Sequence, residues 1–341
     1  MTPPPPPLDP RAATPDAETE VRLDGPADLM GTLFPLRRGH GDPTLQRPLD
    51  GGPWGDLWRT QRTPEGPATL RLTVEESTQV ASCVRVRAWG PGAAWSAGQA
   101  GELLGQGDDW AGFDGLLGRL AGEPDDPAAP AASALAAVRR RRRGLRLLRT
   151  GIVLESAVAA VLEQKVTGVE ARRAWRGLIR QHGEAPPGPA PEGMRVMPDA
   201  EGWRSIPDHD WHRAGVGPQR MRTIRRMAAV APALERTLAL GRGGEAVARA
   251  LCSIPGVGEW TAAEITQRAH GDADAISVGD YHLAHVVCHW FTGERGEDAD
   301  MLRLMTPFAG HRQRVVRLIT ASGVAEERRG PKMTIQDHRA H

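Results

Sequence analysis

The residues with the plainest chemical use are Ile254-Pro255-Gly256-Val257-Gly258-Glu259-Trp260-Thr261-Ala262. Two glycines follow a proline and lead into an apolar pattern of helical period. One helix is expected to end near Cys252 and the next to begin near Glu259, so Pro-Gly-Val-Gly joins them in a tight hairpin. Glycine permits positive φ, and without a Cβ it lets another molecule approach the backbone. The helix that follows offers unpaired N–H groups and the positive end of its dipole. Together these form a seat for an anion, phosphate above all. An ordinary helix–helix turn capped by glycine uses the same residues. Gly215-Val216-Gly217-Pro218, ahead of a helix at Arg220, is a looser copy and reads as a turn. Further on, Ala275-Ile276-Ser277-Val278-Gly279-Asp280-Tyr281 leads into another helix with Asp280 at its mouth. Aspartate is a preferred residue for capping such a start.

These residues need helices to hold them, and the C-terminal part of the chain supplies the period. Leu154, Val158, Val161, Leu162 and Val166 share one face over 152–166. After a break at Thr167-Gly168, Ala171, Ala174, Trp175, Leu178 and Ile179 share another. Further helical patterns cover 220–234, 245–252, 261–270, 281–291 and 312–322. The N-terminal part differs. Leu70-Arg71-Leu72-Thr73-Val74 and Cys83-Val84-Arg85-Val86-Arg87-Ala88-Trp89 alternate apolar with polar, punctuated by Pro64-Glu65-Gly66 and Gly90-Pro91-Gly92. That pattern predicts an antiparallel sheet with one wet face, whose dry face needs one or two helices as cover. Residues 1–28, rich in Pro, Ala, Asp and Glu, read as a disordered leader, and 326–341 as a flexible tail. The expected fold is α+β: an N-terminal antiparallel β-sheet domain with helices over 29–130, then an all-α domain over 131–325.

With 341 residues the chain is long enough for two cores. A net charge of +1 shows no general bias toward a polyanion, although Arg139 to Arg143 are consecutive arginines and Arg146 and Arg149 follow. That run is either a DNA-facing patch or a solvated linker, with the linker favoured. Lysine occurs only at Lys165 and Lys332. Cys83, Cys252 and Cys288 are widely spaced and form neither a disulfide framework nor a CxxC metal site, which fits a reducing cytoplasm. The start is proline-rich, unlike a signal peptide, and no run of about 18 apolar residues predicts a membrane span. A monomer is the expected state.

The pattern Leu251-x-x-Ile254-Pro-Gly-Val-Gly-x-Trp260-Thr-Ala, followed by Asp280 opening a helix, resembles the helix-hairpin-helix DNA glycosylases. Within them it is most similar to the 3-methyladenine DNA glycosylase II branch. The stretches "RAWGPGAAW" from Arg87 and "VLEQKVTGVEARRAW" from Val161 resemble that branch too, so the likeness extends over most of the chain. It implies an N-terminal antiparallel sheet with helices, a helical helix-hairpin-helix domain, and duplex DNA carrying a damaged base in the cleft. The implied activity is that of a monofunctional glycosylase of base excision repair, acting on a flipped-out and first of all an alkylated base.

The resemblance also implies roles for single residues. A carboxylate beside the sugar stabilises its oxocarbenium charge or activates a water, and Asp280 matches the catalytic aspartate. Trp260 stands where relatives that also cut the DNA backbone carry a lysine that attacks C1′. In this branch an aromatic there lines the base pocket; a plain core tryptophan is the other reading. Lys165 stands at the place of a wedge that is normally apolar. It contacts phosphate while Gln164 fills the gap, or it is a solvated cation. Glu264 and Arg317 replace two pocket aromatics, which removes cation–π attraction of roughly 0.5–2 kcal/mol per contact. A glutamate can pair with a cationic base, whereas an arginine repels it. A glycosylase for a neutral or bulky lesion and a non-catalytic DNA-binding protein are the alternatives. Tyr281 faces the base or the core. DNA contacts are expected from the amides of Gly256 and Gly258, from Thr261, and from Gln164 and Lys165. A monovalent cation on hairpin carbonyls near Cys252 and Ile254 is a family feature. The iron–sulfur cluster of some relatives is excluded, because four suitably spaced cysteines are absent.

Overall fold

A computed structural model of the chain describes residues 13–47 and 56–324. Its sheet follows from the alternation. Strands β1 (Ala17–Asp24), β2 (Leu45–Gln46), β3 (Leu57–Thr63), β4 (Gly66–Ser77) and β5 (Ala81–Trp89) are antiparallel and lie in the order β1-β5-β4-β3-β2. Leu70, Leu72, Val84 and Val86 share the dry face and are fully buried. A short helix α1 (Leu29–Leu33) and a 3-10 turn over Phe34–Leu36 connect β1 to β2. Helix α2 (Ala93–Leu103) follows β5 and packs on β1, β4 and β5 as the cover.

Strand β1 corrects the expectation that 1–28 is disordered; residues 1–12 and the expected tail at 326–341 lie outside the described residues. The acids that made this stretch look solvated are counter-charges. Register sets Glu18 opposite Arg87 and Glu20 opposite Arg85. Arg87 meets Glu18 at 3.2 Å, and Arg85 meets Glu20 at 3.4 Å. Only Val21 and Leu23 of the strand enter the core, too few to stand out as a pattern.

The rest of the described chain is helical: α3 (Trp110–Ala121), α4 (Ala129–Arg141), α5 (Val153–Glu163), α6 (Gly168–His182), α7 (Ala200–Ser205), α8 (Asp208–Arg213), α9 (Pro218–Ala229), α10 (Ala231–Arg236), α11 (Glu245–Cys252), α12 (Glu259–Ala269), α13 (Leu283–Thr292), α14 (Asp298–Met305) and α15 (Arg312–Ser322). They build two cores. Helices α5 to α12 form one around α5, whose residues from Val153 to Leu162 are all buried. The N-terminus of α5 is closed by Glu235 of α10, whose carboxylate accepts from the amides of Val153 and Leu154, each at 2.9 Å. Burial raises the pKa of Glu235 against the pull of those bonds. Phe113 and Leu117 of α3 and Leu135 of α4 share the other core with Val287, Met301, Phe308 and Leu318 from the C-terminal part. The break in packing therefore lies before α3 rather than at 130. This lobe is discontinuous in sequence.

The arginine run is not a linker. It ends α4, and Arg139 lies over the Trp110 ring at 4.3 Å. Arg146 is buried and donates to the carbonyls of Pro26 and Gly144, both at 3.0 Å, clamping the helical part to the end of β1. Arg140, Arg141 and Arg143 remain exposed.

A buried charge pair joins sheet to helices. Arg59 stands opposite Leu70 on the dry face and is 0% exposed. Its Nη2 donates to both carboxylate oxygens of Glu155 on α5, at 2.9 and 3.1 Å. Its Nε donates to Gln61, whose amide donates to Ser96 of α2. Removing one partner strands a charge where water does not reach. Glu155→Ala should therefore cost about 3–5 kcal/mol, and Arg59→Met with Glu155→Leu should recover most of it. Urea unfolding midpoints check this; a Glu155→Ala protein as stable as wild type would refute it.

Candidate functional site

Asp280 lies in the loop before α13, after Gly279 with φ +84°. Its Oδ1 accepts from the amides of His282 and Leu283, at 2.9 and 3.0 Å. Its Oδ2 accepts from the indole Nε1 of Trp260, at 3.2 Å. The aspartate thus caps the start of α13 with one oxygen and keeps the other for a donor on α12. Trp260, in the first turn of α12, is half-buried. It stands outside the core clusters and gives its N–H to the carboxylate.

Beside Asp280 opens a cleft of about 240 Å³. Glu264, Gln267, Ser277 and Gln313 give it a polar wall; Leu283, Val286 and Val316 give it an apolar one. Of the residues expected in the pocket, Asp280 and Glu264 line this cleft, whereas Trp260, Tyr281 and Arg317 are not among its lining. Tyr281 is 74% exposed and meets His282 edge-on. Arg317 turns to the N-terminal domain, where it donates to the carbonyl of Gly31. Burial and the neighbouring Arg268 lower its pKa to about 10. Glu264 is engaged as well: it pairs with Arg268 at 2.8 Å and accepts from the Ser277 hydroxyl. The expectation that it waits for a cationic base is corrected by that pairing. Burial works against the charge of Arg268, but Glu264 and Glu163 outweigh it and its pKa is raised. Arg268 also donates to the Pro35 carbonyl at 3.0 Å. Between the two clamped carbonyls stands Phe34, 53% exposed. The sequence reading passed over Phe34, Gln267 and Gln313. An aromatic in an apolar run and amides in amphipathic helices carry no local signal.

The hairpin is as expected in outline. Gly256 has φ +99°, and a Cβ there would meet the Thr223 Oγ1 at 2.2 Å, so its close neighbour is α9 of the same chain. Gly258, the N-cap of α12, faces open space. The Gln164 amide donates to the Gly256 carbonyl and to the buried Thr261 hydroxyl, both at 2.9 Å. It ties the end of α5 to the hairpin. Lys165 beside it has φ +52°, the one positive φ of a non-glycine residue among the described residues, and is exposed. Arg222 and Arg226 of α9 are exposed nearby, Arg226 reaching the Pro255 carbonyl at 3.5 Å. The carbonyls of Ile254, Pro255 and Gly256 already accept from Val257, Arg226 and Gln164. A monovalent cation there must share them. No cluster of three or more His, Cys, Asp or Glu among the described residues suits a metal ion.

The two glycines separate by substitution. Gly256→Ala forces an L-residue to positive φ, about 1–2 kcal/mol, and also meets Thr223. Gly258→Ala has room and an ordinary φ of −102°; the entropy gain of up to about 1 kcal/mol is offset by alanine's poor fit to an N-cap, so stability should stay within about 1 kcal/mol of wild type. Thermal melts should rank Gly256→Ala well below both wild type and Gly258→Ala, which should lie close together. The reverse order would show that the hairpin is built differently.

No family model matches the chain, and no curated protein matches it in sequence. Solved structures match it in fold. A 3-methyladenine DNA glycosylase from Archaeoglobus fulgidus is 14% identical, with a TM-score of 0.70 over 89% of this chain and 98% of that one. An Ogg1 structure in complex with a low-affinity DNA ligand is 14% identical, with a TM-score of 0.64 over 90% and 95%. The Clostridium acetobutylicum 8-oxoguanine glycosylase/lyase, in complex with duplex DNA holding cytosine opposite 8-oxoguanine, is 12% identical, with a TM-score of 0.61 over 91% and 99%. Coverage this wide takes in the sheet and both helical cores, and at such identity it is the architecture that is shared. The chain has the fold of the helix-hairpin-helix DNA glycosylases.

Proposed function

We propose that this chain is a monofunctional DNA glycosylase of base excision repair. It holds duplex DNA on the hairpin, takes a flipped-out damaged base into the cleft, and hydrolyses the N-glycosidic bond beside Asp280. The observation that carries this reading is the Asp280 carboxylate, fixed by two backbone amides and the Trp260 indole at the edge of a base-sized cleft. The DNA-glycosylase neighbours support it by their activity as named and by the DNA in their complexes.

Extruding a nucleotide costs a few kcal/mol of stacking and pairing. As C1′–N stretches, the bonding pair leaves with the base and the sugar becomes an oxocarbenium ion. A preorganised carboxylate stabilises that charge without reorganising. Water then adds at C1′ and gives up a proton, and the base leaves protonated. Trp260 has no amine, so no covalent sugar–enzyme intermediate forms there. Backbone binding falls to the open amide end at Gly258 and the exposed Lys165, Arg222 and Arg226. Each phosphate neutralised steepens the log–log salt dependence by about 0.9. The alkylated base implied by the sequence pattern finds no Trp, Tyr or Phe ring among the cleft lining and no unpaired carboxylate besides Asp280.

Asp280→Asn keeps an acceptor for the capping amides and removes the charge. It should abolish base release, by on the order of 10³-fold, with folding and DNA affinity nearly unchanged. Trp260→Phe removes one hydrogen bond to a charged group, about 1.5–3 kcal/mol, and should slow release about 10- to 100-fold. Single-turnover release, read by mass, tests both, and borohydride should trap no enzyme–DNA adduct. Full turnover by Asp280→Asn would sink the assignment. Tight duplex binding with no release from any lesion would make this a DNA-binding protein instead.

A further inference from the structure

Resting on the reading that the hairpin holds duplex DNA, we propose that α6 and the N-terminal-domain loop packed against it form a second rail for the DNA backbone, which takes undamaged duplex on one side of the lesion. Arg172, Arg176 and Arg180 recur every four residues along α6 and share one face. The loop over 37–44 lies against that face. The Arg180 guanidinium donates to the Gly41 carbonyl at 3.0 Å, and that of Arg176 to the Arg38 carbonyl at 3.4 Å. A Cβ at Gly39 would stand 2.8 Å from the Cδ of Arg172. Arg37, at the start of the loop, is exposed, as are Arg172 and Arg180. The side chains of Arg37 and Arg172 make no hydrogen bond or ion pair with any described residue.

The acids beside this row are used elsewhere. Asp42, the carboxylate of the loop, is buried and accepts from the Arg38 amide, the Thr44 hydroxyl and the Trp175 indole. Glu163 pairs with Arg38, and Glu170 closes a capping box with Thr167. Among the described residues no carboxylate pairs with Arg37, Arg172, Arg176 or Arg180. A chain of net charge +1 has acids enough to neutralise its cations, and on the sheet it does so, where Arg85 and Arg87 meet Glu20 and Glu18. Cations left together repel one another and attract an anion. The length of the row selects which anion. With a rise of about 1.5 Å per residue, the three α6 arginines extend over about 12 Å. One strand of duplex DNA carries a phosphate for about every 3.4 Å of axis, so it presents a row of charges to a row of charges. The rail continues the hairpin surface. Gln164 bonds the hairpin, Lys165 follows it, and a Cβ at Gly168 would stand 3.2 Å from the Arg172 guanidinium. From there the row leads away from the hairpin to the N-terminal domain.

The test is equilibrium binding of the intact protein, over a range of salt, to a duplex with a central tetrahydrofuran abasic analogue and to the same duplex undamaged. Each arginine replaced by glutamine should lower the slope of log affinity against log salt by about 0.9. Arg37→Gln with Arg172→Gln and Arg180→Gln should lose all three increments, on both duplexes alike. Lysine at the same positions should restore them, since a phosphate needs only the charge. Cutting the duplex back on one side of the abasic analogue should remove a like increment from wild type and none from the triple glutamine variant. Cutting back the other side should act equally on both proteins. If the triple variant melts early, Arg37→Gln with Arg172→Gln, which breaks no bond, carries the test with two increments. Unchanged slopes in the glutamine variants, or a loss that lysine does not restore, would overturn the proposal. A loss confined to the abasic duplex would overturn it as well, because backbone contacts are blind to the lesion. Weaker binding of an RNA hairpin with duplex binding unchanged would make RNA the partner and overturn it too. Failure of the glycosylase reading is separate and would appear as no base release while the slopes still fall.

Discussion

The Arg59–Glu155 pair fixes the helical part of the molecule against the sheet, and the candidate site inherits its geometry from that contact. A charge placed on the dry face of a sheet, opposite Leu70, has few places to go. It finds its counter-ion in the first turn of α5, and nowhere does the arginine touch solvent. Near the other end of α5, Glu163 meets Arg38 of the N-terminal domain at 3.4 Å. A helix buried along its length and gripped by charge near both ends cannot rotate or slide without breaking one of these pairs, and at Arg59 no water replaces the lost partner. Helix α12 packs on α5, and α12 carries Trp260, Thr261, Glu264 and Arg268. Desolvating such a pair yields little net stability; its effect here is on orientation.

The cleft lies where the helical cores meet beside the N-terminal domain. Trp260 belongs to a helix of the α5 core, whereas Asp280 precedes a helix packed with α3 and α4. The carboxylate is thus held by donors from both sides of the seam. Arg268 and Arg317 reach from α12 and α15 to carbonyls at Pro35 and Gly31, which brings the N-terminal domain to the same edge. Both cations are spent on structure. Glu264, the cleft carboxylate next to them, is accordingly paired with Arg268.

Local pattern made part of this legible. Helices α11 and α15 were readable to the residue because their apolar faces repeat at short range, and the hairpin was readable from two glycines and a proline. That Asp280 stands before a helix was readable too, whereas its catalytic role was implied only by the family resemblance. What escaped depended on distant partners. The acids of β1 look solvated until β5 brings Arg85 and Arg87 opposite them. Helix α3 looks like part of the N-terminal domain until α13 to α15 return to cover it. Arg317 occupies a position expected to face the base, but its acceptor lies at Gly31, and no spacing rule connects residues so far apart.

Trp260 has an electrostatic consequence for the proposed reaction. A lysine ammonium at this place would bring a full positive charge near the Asp280 carboxylate. At about 4 Å and an effective dielectric near 20, that attraction is of the order of 4 kcal/mol. The carboxylate would then be largely neutralised before any charge formed on the sugar, which is tolerable where the amine itself attacks C1′. An indole N–H gives a directed hydrogen bond with no net charge. It aims the carboxylate, satisfies one lone pair, and leaves the negative charge available to the oxocarbenium ion as it develops. A hydrolytic enzyme without a nucleophilic amine depends on that charge. The replacement of an amine by an indole therefore suits the water-dependent reaction twice, by removing the covalent route and by keeping Asp280 electrostatically active.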